Sequence, residues 1–158
     1  LAGALCFIGF GGDMHDLLML LTANYPMKTI EILGEPYLER YHVKTDEDGT
    51  QHWLHRFLRN DSERHQHSHP WEARSKILCG SYLEDRSGAH TLYQAGMTNL
   101  IMPETMHRIV EVEPNTWTYM RVLPGRAVSW AFIDDSGART PMATSPEDWW
   151  KDCKVRGV

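Results

Sequence analysis

The sequence predicts an all-β domain, of sandwich, jelly-roll or barrel type, with short helices only at its ends. Three observations carry this expectation. From Met27 onward, eight short segments are rich in β-branched, aromatic and alternating residues. The breaks between them carry turn chemistry, from Gly34-Glu35-Pro36 to Asp134-Asp135-Ser136-Gly137. Helix signals are confined to the two termini. The 158 residues suffice for one core, which at this length buries roughly 70% of the unfolded surface. No repeat, linker or low-complexity segment divides residues 27–158.

The chain opens on an apolar stretch, 1–12, that lacks the basic n-region and Ala-x-Ala site of a signal peptide. Asp13, His15 and Asp16 interrupt it too soon for the ~20 residues of a spanning helix. Asp13 is a candidate N-cap, Asp16 suits the helix dipole, and Leu17, Leu18, Leu20 and Leu21 follow before Pro26. A short helix over residues 13–23 is expected. Met27 is a candidate natural start, which makes 1–26 an N-terminal extension and 27–158 a single domain. Strands are expected at Lys28–Leu33, Tyr37–Lys44, Gln51–Arg59, Trp71–Leu83, Thr91–Ala95, Arg108–Val112, Thr116–Leu123 and Ala127–Ile133. Ser145-Pro146-Glu147-Asp148 starts a final short helix carrying Trp149 and Trp150: an N-cap, a proline at N1 and acids in the first turn.

Composition removes several classes of function. Sixteen basic against twenty-one acidic residues give a net charge of −5 with no basic stripe, so no nucleic-acid partner is expected. Three cysteines without a CxxC pair argue against a disulfide scaffold and for a reducing compartment. With no anchor in view, the expectation is a cytoplasmic protein with no membrane partner. GxSxG, P-loop and GxGxxG motifs are absent, so nothing supports nucleophile or phosphate chemistry.

Histidine is the unusual count. There are nine, three of them at alternate positions: His65, His67 and His69. Residues i and i+2 of a strand point to one face, so His67 and His69 can aim two imidazoles at one point. A divalent metal needs neutral imidazoles converging at about 2.0–2.1 Å. The competing reading is a polar loop with solvated histidines, since Asp61 to Gln66 is hydrophilic.

His67-Ser68-His69 with Gly80, followed by Gly96, Pro103 and His107, resembles the two motifs of the cupin family. The segments His67–Glu72, His107-Arg108-Ile109 and Ser129–Phe132 are similar to a bacterial and phage cupin subgroup. The resemblance covers residues 27–150 and implies a jelly-roll (double-stranded β-helix) barrel with short terminal helices. It also implies one divalent metal per chain held by His67, His69 and His107, and a homodimer. Two departures stand out. The position of the motif's glutamate falls on Ala73, with Glu72 one residue off, and His107 arrives one residue early. The slip turns Glu72 away from the histidines unless a bulge at Pro70 restores it. Three histidines are therefore favoured over a site that includes Glu72, with His65 as an outer-shell group or substitute ligand.

Arg56, Tyr119, Arg121 and Trp130 are candidates for contacting a small-molecule substrate. Arg56 offers a fork for a carboxylate, and a rim salt bridge is its competing role. His52 and His55 have opposite strand parity and are not needed for a site, and His42 and His90 are read as surface or satisfied groups. Three neutral imidazoles leave a metal with open positions, and the resemblance to thiol dioxygenases and other cupin oxygenases implies an Fe(II) small-molecule dioxygenase. Zn, Ni and Mn are the alternative metals. The alternative functions are a metal-assisted sugar isomerase or epimerase, with Glu72 or His65 as base, and a metal- or ligand-binding cupin without turnover.

Overall fold

Asp13 caps the first helix of the computed structural model, which describes residues 13–32, 34–60, 65–103, 105–125, 130–133, 136–142 and 149–155. The side chains of Trp130 and Met142 fall outside that set. Helix α1 (Met14–Leu21) closes where the Thr22 hydroxyl turns back to the Leu18 carbonyl at 2.8 Å. A single 3-10 turn (Thr22–Asn24) completes the segment in which the sequence predicts one continuous helix. Of its apolar residues, Leu18 is buried against Tyr41, Leu54 and Trp117. His15 Nδ1 accepts from the Trp117 indole at 3.0 Å.

The remaining elements are strands: β1 (Pro26–Ile32), β2 (Glu35–Thr45), β3 (Gln51–Phe57), β4 (Gln66–His67), β5 (Ala73–Cys79), β6 (Ser81–Arg86) and β7 (Ala89–Gln94). They continue with β8 (Thr98–Ile101), β9 (Arg108–Val112), β10 (Trp117–Val122), β11 (Trp130–Ile133), β12 (Arg139–Met142) and β13 (Lys154–Val155). One seven-stranded sheet runs β13-β1-β2-β3-β10-β5-β8, and two three-stranded sheets run β12-β11-β4 and β7-β6-β9. Every described pairing is antiparallel. An isolated bridge, His67 to His107, joins the two small sheets. Tyr37, Leu38, Phe57 and Ile77 of the large sheet pack against Tyr82 and Val112 of the small one, so the core lies between two layers.

Three expectations need correction. The apolar run Trp71–Leu83 is two strands, because Gly80 takes φ +75° between them. A Cβ there would stand 2.8 Å from the Thr116 Cα, so the close approach of the next segment also requires glycine. Strands β4, β8, β12 and β13 fall where no strand is expected; each is only two to four residues long, too short for a periodicity signal. Trp149 and Trp150 lie in a turn, and the helix start at 145–148 lies outside the described residues. No helix among the described residues is long and apolar enough to cross a membrane.

Candidate metal centre

His67 ends β4, and its backbone exchanges two hydrogen bonds with His107, at 2.8 and 3.0 Å. Ser68 anchors the other side: its N–H donates to the Ala131 carbonyl at 2.9 Å, and its Oγ accepts from the Ala131 N–H at 3.1 Å. His69 lies beyond the strand, before a bend at Pro70 and Trp71. The Trp71 ring stacks on His69 with centroids 4.2 Å apart, fixing the imidazole from the apolar side.

These constraints bring three imidazoles together. One ligand-capable nitrogen from each of His67, His69 and His107 lies within 4.8 Å of the others. His67 and His107 are buried, and His69 is half-buried. His69 Nε2 and His107 Nε2 are 2.9 Å apart. Two nitrogens at adjacent positions on one ion, each about 2.05 Å from it, would stand about 2.9 Å from each other. The His69/His107 pair matches that spacing, and His67 completes a group of three imidazoles able to hold one small divalent ion once its ring closes in.

The third imidazole is oriented by a carboxylate. Glu84 Oε1 lies 2.5 Å from His107 Nδ1. The ring proton on Nδ1 donates to it, leaving the Nε2 lone pair turned toward the other histidines. Glu84 is itself buried and accepts from Asn99 Nδ2 at 3.0 Å and Arg86 Nε at 2.8 Å. Burial pushes its carboxyl up, but the bonds from His107, Asn99 and Arg86 outweigh burial and hold it below the usual carboxylate range. Asn99 also donates to the Tyr82 hydroxyl at 3.0 Å, and burial pushes that phenol well above its ordinary value. The sequence reading misses Glu84. Its only signal is parity, since Glu84 shares a strand face with Tyr82.

Neither further ligand candidate reaches the cluster. Glu72 lies just before β5, where its carbonyl accepts from the Leu123 N–H at 2.9 Å, and its carboxylate is not among the clustered groups. Pro70 sits in a bend outside any strand, and the register shift in β5 lies near Leu78. The inward position is taken by Ala73, which is fully buried. His65 is exposed and also stands apart from the cluster.

The histidines open onto a cavity of ≈ 100 Å³ between the layers, and Arg56, Tyr119 and Arg121 are not among the residues of its wall. Arg56 lies on the outward face of β3, where Nη2 and Nε donate to Asn115 Oδ1 at 2.8 and 3.0 Å and Nη1 pairs with Glu39 at 3.3 Å. Tyr119 bonds His52 Nδ1 at 2.5 Å on that same side, and Arg121 is exposed. Strand alternation explains all three, because His55 and Phe57 take the inward positions of β3 and Thr118 and Met120 those of β10. The Trp130 side chain lies outside the described residues. His42 stacks on Trp150 at 4.2 Å, and His90 is exposed. His55, set aside by the sequence reading, is buried and lines the cavity.

No family model matches the sequence, and no curated protein does. Solved structures do match. A cupin-2 domain from Rhodospirillum rubrum aligns at TM-score 0.58 and 9% identity, over 72% of this chain and 78% of that one. An RmlC-like cupin protein from Ralstonia eutropha aligns at TM-score 0.57 and 17% identity, over 79% and 76%. Fe(II) HppE aligns at TM-score 0.52 and 10% identity, over 63% of this chain and 56% of that longer one. With two antiparallel layers closing on a histidine-lined interior, the chain has the fold of the cupin superfamily, the double-stranded β-helix.

Proposed function

We propose that His67, His69 and His107 hold one divalent metal ion and that the protein is a metal-dependent enzyme acting on a small molecule, an Fe(II) oxygenase ahead of other reactions. The observation that carries this reading is the convergence of the three imidazoles, with the His107 tautomer set by Glu84. Three neutral ligands leave an ion its full charge, and Fe(II) held there would supply open positions for a substrate and O₂. The protein's part is to orient and to exclude. Trp71 fixes the plane of His69, Glu84 fixes His107, and the apolar walls around Leu38, Phe57 and Ile109 keep the interior dry.

The isomerase reading is less well supported. It needs a base beside the metal, and neither Glu72 nor His65 lines the cavity. Glu84 does line it, but its oxygens already accept from His107, Asn99 and Arg86.

Metal analysis of protein purified without an affinity tag tests the first half of the proposal, with one ion per chain expected. Oxygen uptake by iron-loaded protein across amino, thiol and keto acids tests the second. Turnover retained with zinc and without oxygen would overturn the oxygenase reading in favour of the isomerase.

A further inference from the structure

Across the inner face of the large sheet, Arg40, His55 and Thr118 stand in one register row. Arg40 pairs with His55 between β2 and β3, and His55 pairs with Thr118 between β3 and β10. All three side chains line the cavity that the histidine cluster also lines. Their neighbours along the strands, Leu38, Phe57 and Met120, are apolar. Three polar positions side by side on one sheet face, next to Leu38, Phe57 and Met120, call for a chemical reason.

Each member of the row can donate a hydrogen bond. The Arg40 guanidinium lies 4.3 Å from the Trp53 ring centroid and donates through Nε to His55 Nε2 at 3.0 Å. An imidazole that accepts on Nε2 carries its proton on Nδ1, so His55 is neutral and a donor there. Burial pushes His55 well below its ordinary pKa, and the Arg40 charge acts in the same direction. The Thr118 hydroxyl is buried and has no hydrogen-bond partner among the described residues. A buried hydroxyl without a partner is costly unless something else supplies an acceptor. A carboxylate accepts only, so it can take hydrogen bonds from a guanidinium, an imidazole N–H and a hydroxyl at once, whatever else the guanidinium touches.

We infer that the Arg40–His55–Thr118 row binds the carboxylate of a small acid whose other end reaches the histidine cluster. The inference rests on the proposed metal site for that second contact and names the substrate class. The cavity, ≈ 100 Å³, is well below the roughly 300–1,000 Å³ of pockets for drug-sized ligands, which restricts the acid to a few heavy atoms. Glu84, the carboxylate on the cavity wall among the described residues, is paired with Arg86, which offsets its charge toward a bound anion.

The test uses lactate and its neutral counterpart 1,2-propanediol, titrated calorimetrically into zinc-loaded protein, with acetate titrated into metal-free protein. Lactate should bind more tightly than the diol, and acetate should bind the metal-free protein weakly. Arg40→Gln should reduce lactate affinity by about tenfold to a hundredfold, the range for losing a charged hydrogen bond. Thr118→Val keeps the side-chain shape and should reduce it by several-fold, which covers the case in which Arg40→Gln does not fold. Equal affinity for lactate and the diol, or unchanged lactate affinity in the folded variants, would overturn the inference. Zinc titration of the wild-type chain separates the two claims. Failure to take up zinc overturns the metal site, whereas zinc uptake with charge-blind ligand binding overturns only the carboxylate row.

Discussion

Glu84 Oε1 sits 2.5 Å from His107 Nδ1, so the tautomer of one candidate ligand is set by a carboxylate from the neighbouring strand. Glu84→Gln should weaken metal binding by about 10–100-fold while one ion per chain still binds, the usual loss for a group that orients a ligand. A competition titration with a chelator reads this directly. Glu84→Ala should cost more in stability, about 3–5 kcal/mol, because it leaves Arg86 and Asn99 facing an emptied buried site. Urea unfolding measures that cost.

Replacing His67, His69 or His107 by alanine should abolish stoichiometric metal uptake in a folded protein, and Glu72→Ala should leave it intact. The contrast follows from placement, since the three imidazoles converge and Glu72 stands off the cavity. Metal titration of each variant, with circular dichroism as the folding control, decides between them. Loss of binding in Glu72→Ala would restore the carboxylate to the ligand set.

Stability of the metal-free protein should fall as the pH drops from 7 toward 5. Burial holds His55 well below its ordinary value near 6.5, and His42 is lowered by burial and by His52. As pH falls through about 6.5 the unfolded chain takes up protons that the folded chain refuses, so unfolding becomes easier. His55→Gln should flatten that slope, whatever it does to stability at pH 7. Denaturant melts at several pH values for both proteins give the comparison.

Gly80→Ala should cost about 2–4 kcal/mol, combining a left-handed backbone with a clash against the Thr116 backbone. Its effect should appear in thermal unfolding and leave metal stoichiometry unchanged in the folded fraction.

Leu18→Ala should destabilise by about 2–5 kcal/mol, because Leu18 fills the space over Tyr41, Leu54 and Trp117. Metal uptake should be unaffected, since α1 covers the outward face of the sheet, on the side away from the cavity.

The positions of β2, β3, β9 and β10 were legible from residue type and turn residues, because each strand is at least five residues long. The pairing of His67 with His69 was legible from spacing, although the reason given for it was incomplete. His69 lies past the end of β4, where strand parity no longer applies, and stacks on Trp71. Glu84 and His55 were not legible as site residues. Glu84 reaches His107 across 23 residues of sequence, and His55 gains its meaning only when β2 and β10 set Arg40 and Thr118 on either side of it. Arg56 takes the competing role weighed for it, a salt bridge with Glu39. Alternation places it outward, and Arg40, one strand over, turns inward.

The backbone bridge between His67 and His107 gives the centre a mechanical role as well as a chemical one. The two residues whose side chains converge are also those whose amides stitch one small sheet to the other, with Gln66 reaching Asp85 at 3.3 Å beside them. An ion gripping both imidazoles would rivet the seam from inside. Amide hydrogen exchange at His67 and His107 should therefore slow when metal is added, and slow more than at amides in the middle of β3. In this arrangement, an ion bound at the centre would strengthen the closure of the second layer.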